Sequence, residues 1–356
     1  MFAIPQVLRA PKSVGNAGAR VVSRQPNGTL CDTLELGMIA EKVLGAYAAI
    51  GTMSPTELPP SEQVVWYRRA VEEWKISHFE IPLFAGEPLA PELAEAFADL
   101  HASLVVTLVA QWARAGAVNA AYGFSSLDER ARVTAMMDAN AIVQQCASLE
   151  ERGVRIRNVI VQTGRRMGGS IQHAIAFHKS LVVLARLIDA VLPEAGLAVE
   201  PTDTRPDDYG IAFPGAKRSS LDTDAIVQTI CAVNREYPAN SRVGVMVNSG
   251  RLILDGISPL AMIEQVLDSE VPLVGAIFSG ARPTPVGFRD SHNCHLDPEG
   301  GFSAADASAC ATALKRSPQA TFIGMKCSCA RGDDELGFEI EEVLRAQSAL
   351  LNELAA

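Results

Sequence analysis

Eight short apolar runs, rich in β-branched residues, recur along the chain. Each run is apolar at successive positions, which is typical of parallel strands that are buried on both faces. The runs are Val43–Ile50, Ser77–Leu83, Leu104–Ala110, Arg157–Gln162, Gly196–Glu200, Val243–Asn248, Leu273–Ser279 and Thr321–Lys326.

Segments with an apolar residue at every third or fourth position separate these runs, and this spacing predicts helices. Strands that alternate with helices pair in parallel through right-handed crossovers. We therefore expect an α/β fold, a (β/α)₈ TIM barrel, over residues 43–356. The helical segments are Pro60–Trp74, Asp128–Leu149, Ile171–Val191, Thr223–Val233, Pro259–Leu267, Ala304–Leu314 and Leu336–Leu354.

An open, doubly wound sheet is the alternative fold, and it usually has a glycine-rich turn after its first strand. Residues 51–55 read Gly-Thr-Met-Ser-Pro, and the glycines within 164–169 lack the Lys-Ser/Thr pair of a phosphate loop. The barrel is therefore preferred. Residues 1–42 are rich in Gly, Pro, Arg and Asn and lack periodicity, so we expect an N-terminal arm there.

Helix signals and segment lengths add two local predictions. Ser61, Asp222 and Ser303 each precede a helical segment and are candidate N-caps. The segment from about Trp112 to Arg155 is the longest between strands, so it has room for a loop over the barrel mouth.

Composition and charge limit the classes of partner. A net charge of −10 repels phosphate backbones, so nucleic acid is not expected as a partner. No apolar stretch approaches the length of a membrane span, and the N-terminus lacks a signal-peptide pattern, so we expect a cytoplasmic protein without a membrane partner. Seven irregularly spaced cysteines argue against a disulfide framework. Barrels of this kind commonly associate, which leaves a homo-oligomer open.

Polar residues follow the apolar strands at the end where barrel active sites lie. The simplest alternative reading is that Glu200 and Lys326 only form an ion pair in a polar core layer, since buried pairs are weak evidence of function. We favour a site because the polar residues cluster at the end of the barrel where its chemistry occurs. The candidates are Glu80, Gln162, Glu200, Asp203, Asn248, Arg251, Ser279 and Lys326, with His295 on a neighbouring loop.

The same strand ends resemble an uncharacterised bacterial family of xylose-isomerase-like TIM barrels, a domain of unknown function. The resemblance covers roughly residues 43–352 and rests on the order of short motifs. The matching stretches are His78–Pro82, Val199–Asp203, Ala216–Lys217, Asn248–Arg251, Ile277–Ala281, Cys294–Leu296 and Gly324–Lys326.

Three departures from the family pattern stand at strand ends. The stretch Ile160–Gly164 replaces a Glu-Leu-His-Ser-Ala-like motif, Pro201 replaces a His, and Ser249 replaces a Trp. The resemblance therefore implies a relative with an altered substrate, such as one of a narrow biosynthetic role, or one that has lost the original activity.

The wider superfamily that this family resembles often binds a divalent metal through Glu, Asp, His and Glu at strands five to eight. Here those places hold Glu200, Asn248, Ser279 and Lys326, and only the first is a good ligand for a hard cation. We therefore expect no metal cofactor, with a divalent ion such as zinc or manganese as the alternative. A rival zinc site would use His292, Cys294, His295, Cys327 and Cys329, although their spacing is irregular.

These residues predict an enzyme that abstracts a proton next to a carbonyl group of a small polar metabolite, a sugar-like compound or a hydroxy or keto acid. Isomerases, epimerases and dehydratases, which are lyases, share this step. Glu200, Asp203 and His295 are the proton-transfer candidates, and Lys326 would stabilise the oxyanion. The substrate-binding candidates are Glu80, Gln162, Asn248, Arg251 and Ser279.

Three other functions stay open. A Schiff base on Lys326 is possible within the enzyme class, because a desolvated lysine can be nucleophilic. A non-catalytic ligand-binding barrel is compatible with the lost strand-four motif. A metal-dependent hydrolase or lyase would require tightly bound zinc or manganese.

Overall fold

Eight parallel strands close into a barrel. The computed structural model describes residues 41–50, 58–166, 170–204, 219–237, 243–285, 287–331 and 335–356. The barrel strands are β1 (Glu41–Leu44), β2 (His78–Pro82), β3 (Ser103–Thr107), β4 (Arg155–Val161), β5 (Gly196–Val199), β6 (Gly244–Asn248), β7 (Leu273–Phe278) and β10 (Phe322–Met325). Their order around the barrel is β1-β10-β7-β6-β5-β4-β3-β2.

Two short antiparallel pairs lie outside the barrel and follow its last two strands. They are β8 (Arg282–Thr284) with β9 (Gly287–Arg289), and β11 (Ala330–Arg331) with β12 (Glu335–Leu336). The expected TIM barrel is thus confirmed. The predicted arm over residues 1–42 lies outside the described residues, apart from Glu41 and Lys42, which begin β1.

Helices connect the strands and cover the barrel. They are α1 (Tyr47–Ile50), α2 (Pro60–Glu72), α3 (Pro91–Asp99), α4 (Val109–Val118), α5 (Glu129–Glu151), α6 (Ser170–Val191), α7 (Thr223–Glu236), α8 (Ser249–Leu254), α9 (Pro259–Leu267), α10 (Ala304–Leu314) and α11 (Ile340–Ala355). Helices α9 and α10 have the predicted bounds. The sequence prediction missed α1, α3, α4 and α8. No helix in the described parts of the chain is long and apolar enough to cross a membrane.

Helix starts confirm two of the three predicted caps. The Asp222 carboxylate accepts the Ala225 N–H at 2.9 Å, and Ser303 forms a capping box with Asp306. The prediction for Ser61 is wrong, because α2 begins one residue earlier at Pro60. A proline fits the first helical position, since its missing N–H is not needed there.

The first and third predicted strands were too long. Strand β1 ends at Leu44, and the alanine-rich stretch that follows forms α1. Strand β3 ends at Thr107, and α4 begins two residues later. The expected loop over the mouth is residues 119–128, which contact the loops after β4 and β5. Gly123 pairs with Gly164, and the Ser125 and Ser220 hydroxyls lie 2.6 Å apart.

The barrel interior has an apolar layer below the strand ends. It consists of Val43, Val105, Ile160, Ala198, Met246, Val274, Ile277 and Phe322, all buried. Residues two apart on a strand lie on the same face. The polar residues that stand two positions after interior residues therefore also point inward, one layer nearer the mouth. They are Gln162, Glu200, Asn248 and Ser279, which follow Ile160, Ala198, Met246 and Ile277.

Candidate active site

Lys326 and Glu80 form an ion pair inside the barrel. The Lys326 Nζ atom lies 3.0 Å from Glu80 Oε1, and neither side chain is exposed. Gly45 leaves the space for this pair, because a Cβ atom there would lie 2.8 Å from Lys326 Cβ and 3.1 Å from Glu80 Oε2. The lysine therefore pairs with the carboxylate of β2, whereas the sequence suggested Glu200 as its simplest partner.

Glu200 is held by donors from both neighbouring strands. Its Oε2 accepts the Gln162 amide N–H at 2.8 Å, and its Oε1 accepts the Asn248 amide N–H at 2.7 Å. The Arg251 Nε atom lies 3.8 Å from the same Oε1. Because a carboxylate only accepts, both amide groups must turn their N–H groups toward it and their oxygens away. The structure thus brings four of the predicted site residues together.

A second polar network joins Ser279 to two residues that the sequence analysis did not assign to this site. The Ser279 Oγ atom lies 3.2 Å from His292 Nδ1, and His292 Nε2 lies 3.4 Å from Asp290 Oδ1. The other oxygen of Asp290 accepts a short hydrogen bond from Arg251 Nη1. Arg251 therefore links this network to Glu200.

His292 has an unusual backbone conformation for a residue with a side chain. Its φ is 49°, in the left-handed region that favours glycine, and its side chain is almost fully buried. Such outliers often mark functional positions because the surrounding structure must hold them. The sequence gave no sign of this conformation, and it suggested His292 only as a rival zinc ligand.

Tyr47 covers the ion pair from the end of the first strand. Lys326 Nζ lies 5.7 Å from the centre of its ring, and burial raises the pKa of its phenol above the ordinary value. Several buried polar atoms here have no hydrogen-bond partner among the described residues. They are Tyr47 Oη, Glu80 Oε2, Gln162 Oε1, Asn248 Oδ1 and Arg251 Nε.

Asp203 acts on this cluster through its charge, whereas His295 is placed beside Cys294. Asp203 is buried, and its charge helps Asp290 and Glu200 to raise the pKa of Arg251 against the effect of burial. His295 is half-buried, and its Nδ1 lies 3.7 Å from Cys294 Sγ. A hydrogen bond from Cys327, with help from His295, lowers the pKa of the Cys294 thiol to about 5.

The two members of the ion pair respond to burial differently. Burial raises the pKa of Glu80 above its ordinary value, and the nearby ammonium of Lys326 offsets this only in part. Burial alone would lower the pKa of Lys326, but nearby groups, chiefly the Glu80 carboxylate with help from Glu200, outweigh burial and raise that pKa. The lysine is therefore held as an ammonium ion.

A family model described as "Domain of unknown function (DUF4862)" matches residues 43–337. The chain belongs to the DUF4862 family. This confirms the resemblance to an uncharacterised family, and no curated protein matches the sequence.

Several solved structures share the barrel fold of this DUF4862 chain. D-psicose 3-epimerase with D-tagatose from Clostridium cellulolyticum H10 superposes with a TM-score of 0.56 and 12% identity, covering 88% of this chain and 97% of that one. The IOLI protein with a binding zinc atom gives 0.57 and 12%, covering 89% and 98%. A xylose isomerase domain protein from Planctomyces limnophilus gives 0.55 and 12%, covering 89% and 97%. Identities this low establish the fold alone.

The donor set of this DUF4862 member does not fit a divalent metal. Hard cations take several oxygen ligands, whereas both oxygens of Glu200 already accept amide N–H groups and two cationic side chains, Arg251 and Lys326, act on the same region. Within the described ranges, no three His, Cys, Asp or Glu side chains group to hold a metal ion. The residues of the alternative zinc set, all of which are described, form no such group; they are His292, Cys294, His295, Cys327 and Cys329.

Proposed function

We propose that the protein is an enzyme that removes a proton beside the carbonyl group of a small hydroxylated substrate, without a divalent metal. The Glu80–Lys326 pair carries this proposal. It combines a carboxylate whose Oε2 has no partner with a buried ammonium ion 3.0 Å from the other oxygen. Enolate formation is favoured by a base that takes the proton and by a nearby positive charge that stabilises the enolate oxygen.

In the proposed step, Glu80 Oε2 takes the proton from the carbon next to the carbonyl group. The electron pair of the broken C–H bond forms a C=C bond, and the carbonyl oxygen takes the negative charge beside Lys326 Nζ. Return of a proton to the opposite face of the same carbon gives an epimer. Return to the former carbonyl carbon gives an isomer, when the former carbonyl oxygen gains a proton and the hydroxyl group on the deprotonated carbon loses one to become the new carbonyl group. Loss of a hydroxyl group from the next carbon, which leaves as water with the proton held by Glu80, gives a dehydrated product.

This assignment changes the roles expected of two glutamates. Glu200 was expected to transfer protons, but its oxygens each accept an amide N–H, so we assign it to holding Gln162 and Asn248. Those amides then present Oε1 and Oδ1, and Arg251 presents Nε, as unpartnered buried atoms. A hydroxyl group both donates and accepts, so a polyhydroxylated compound would satisfy this mixed set.

The Ser279–His292–Asp290 network supplies a second proton-transfer group. A serine nucleophile is a less suitable reading, because the Ser279 and Gly280 N–H groups already donate to Ser249 Oγ and Asn293 O. These N–H groups are therefore not free to stabilise an acyl oxyanion. We assign Ser279 to substrate contact and His292 to proton exchange through it.

The Schiff-base alternative receives less support. Imine formation needs a neutral amine, and the raised pKa of Lys326 keeps the ammonium form. A non-catalytic ligand-binding barrel is the second candidate, and the saturated Glu200 network favours it, since those hydrogen bonds suit binding more than turnover.

Proton exchange in deuterated water tests the proposal. Ketoses are suitable probes because one solved relative of this fold is an epimerase structure with D-tagatose. We expect D-tagatose, D-psicose, L-ribulose or a hydroxy acid such as D-gluconate to lose the proton signal beside the carbonyl group, with and without EDTA. Glu80→Gln should abolish this exchange. Binding without exchange in every case would favour the binding barrel, and exchange that EDTA stops would contradict the metal-free step.

A further inference from the structure

A cavity of about 180 Å³ lies between β2 and the helices α2 and α3. Its walls are mostly apolar side chains from three parts of the chain. They include Tyr47, Pro82, Phe84, Leu89, Leu93 and Phe97. Tyr47, Leu93 and Phe97 are buried, whereas Phe84 and Leu89 are half-buried at the outer edge.

Two of the polar residues that line this cavity, Gln63 and Glu87, already have partners. The Gln63 amide N–H donates to the Leu58 carbonyl at 2.7 Å. Glu87 accepts from Arg114 Nη1 at 2.8 Å through both carboxylate oxygens. The cavity therefore offers apolar contact more than hydrogen bonds, and it suits an apolar occupant.

Two wall residues join this cavity to the candidate active site. Pro82 stands two positions after Glu80 on the same strand, so it lies on the same face and nearer the mouth. Tyr47 faces the cavity and lies 5.7 Å, measured to its ring centre, from Lys326 Nζ. Its buried hydroxyl has no partner among the described residues, which marks a boundary where a polar group of a ligand would be satisfied.

We propose that this cavity binds an apolar substituent of the substrate, about the size of a phenyl ring, whose hydroxylated carbonyl part lies against Glu80 and Lys326. A cavity of about 150 Å³ is enough to hold a benzene molecule, so the volume here accommodates one ring. The inference rests on the proposed function, and it names the substrate class as a polyhydroxylated carbonyl compound with an aryl or similar apolar group.

Binding of three probes tests this inference by calorimetry. They are 1-anilino-1-deoxy-D-fructose, which has both parts, D-fructose, which has the polar part, and aniline, which has the ring. We expect the compound with both parts to bind at least about tenfold more tightly than D-fructose, because it buries one aromatic ring. It should also bind more tightly than aniline. An affinity of the anilino compound equal to that of D-fructose or to that of aniline would overturn the inference.

Ala90→Phe fills the cavity from the N-cap position of α3, and Ala98→Phe makes the same change within that helix, outside the cavity lining. The first variant should lower the affinity for the anilino compound about tenfold while that for D-fructose stays unchanged. The second should leave both unchanged. Equal affinity in the Ala90→Phe variant would overturn the cavity assignment.

Glu80→Gln separates this inference from the proposed function. The variant should lower the affinity for the anilino compound and leave the affinity for aniline unchanged, since the ring binds outside the ion pair. If the anilino compound binds in the cavity no more tightly than aniline does, its polar part contributes no affinity, and the inference is overturned. Normal binding of the anilino compound with no proton exchange from any probe would instead contradict the proposed catalysis alone.

Discussion

Lys326 and Glu80 neutralise each other inside the barrel, 3.0 Å apart and without exposure to solvent. Removing one partner leaves the other charge buried alone. We therefore expect Lys326→Met to lower the free energy of unfolding by about 3–5 kcal/mol, measured by urea denaturation. Adding Glu80→Gln should restore much of this loss, because the double variant buries no charge.

The surface ion pair Arg316–Glu264 provides the control. Its Arg316 Nη1 and Glu264 Oε2 atoms lie 2.7 Å apart, but the two side chains are 50% and 40% exposed. Arg316→Met should change the unfolding free energy far less. A loss in Lys326→Met no larger than in this control would contradict a buried ion pair.

Titration of Glu80 should show a carboxyl pKa above the usual 4.5. Because the folded pKa lies above the unfolded one, the native state binds the extra proton between the two values. The contribution of Glu80 to the unfolding free energy is therefore present at low pH and falls as pH rises through that window. Carbon-13 NMR of labelled carboxyl groups would follow the titration, with Glu80→Gln identifying the signal. Since Lys326 lowers this pKa, Lys326→Met should move the titration to higher pH.

The sequence predicted the barrel and most of the residues that meet at its strand ends for one physical reason. Residues two apart on a buried strand share a face, so the positions of Gln162, Glu200 and Asn248 follow from the apolar residues before them. The partner of Lys326 did not follow from this rule. Contacts across a barrel depend on the relative heights of strands that are distant in the sequence. The place of His292 did not follow from the pattern either, because this residue lies in an irregular loop after β9.

Substitutions at these strand ends should create a metal site. Asn248→Asp, Ser279→His and Lys326→Glu together would give strand ends six to eight the oxygen and imidazole donors that divalent ions prefer, beside Glu200. We expect this triple variant to bind manganese or zinc with about one equivalent per chain by elemental analysis, and to be stabilised by the metal. Tight binding of an equivalent ion to the unaltered protein would contradict the view that Lys326 replaces the cation.

His292 should be needed to complete a reaction that Glu80 begins. His292→Asn keeps a residue that tolerates the positive φ of 49° but removes the proton-transfer group. We expect it to slow product formation by about 10²–10⁴-fold while deuterium exchange at the substrate carbon, which depends on Glu80, largely continues. His101 has the same φ and an exposed side chain, so His101→Asn tests the backbone effect alone and should leave both rates unchanged. A proton donor that acts after the first transfer should affect product formation more than exchange. Equal loss of both rates in His292→Asn would therefore indicate that the residue only supports the structure of the site.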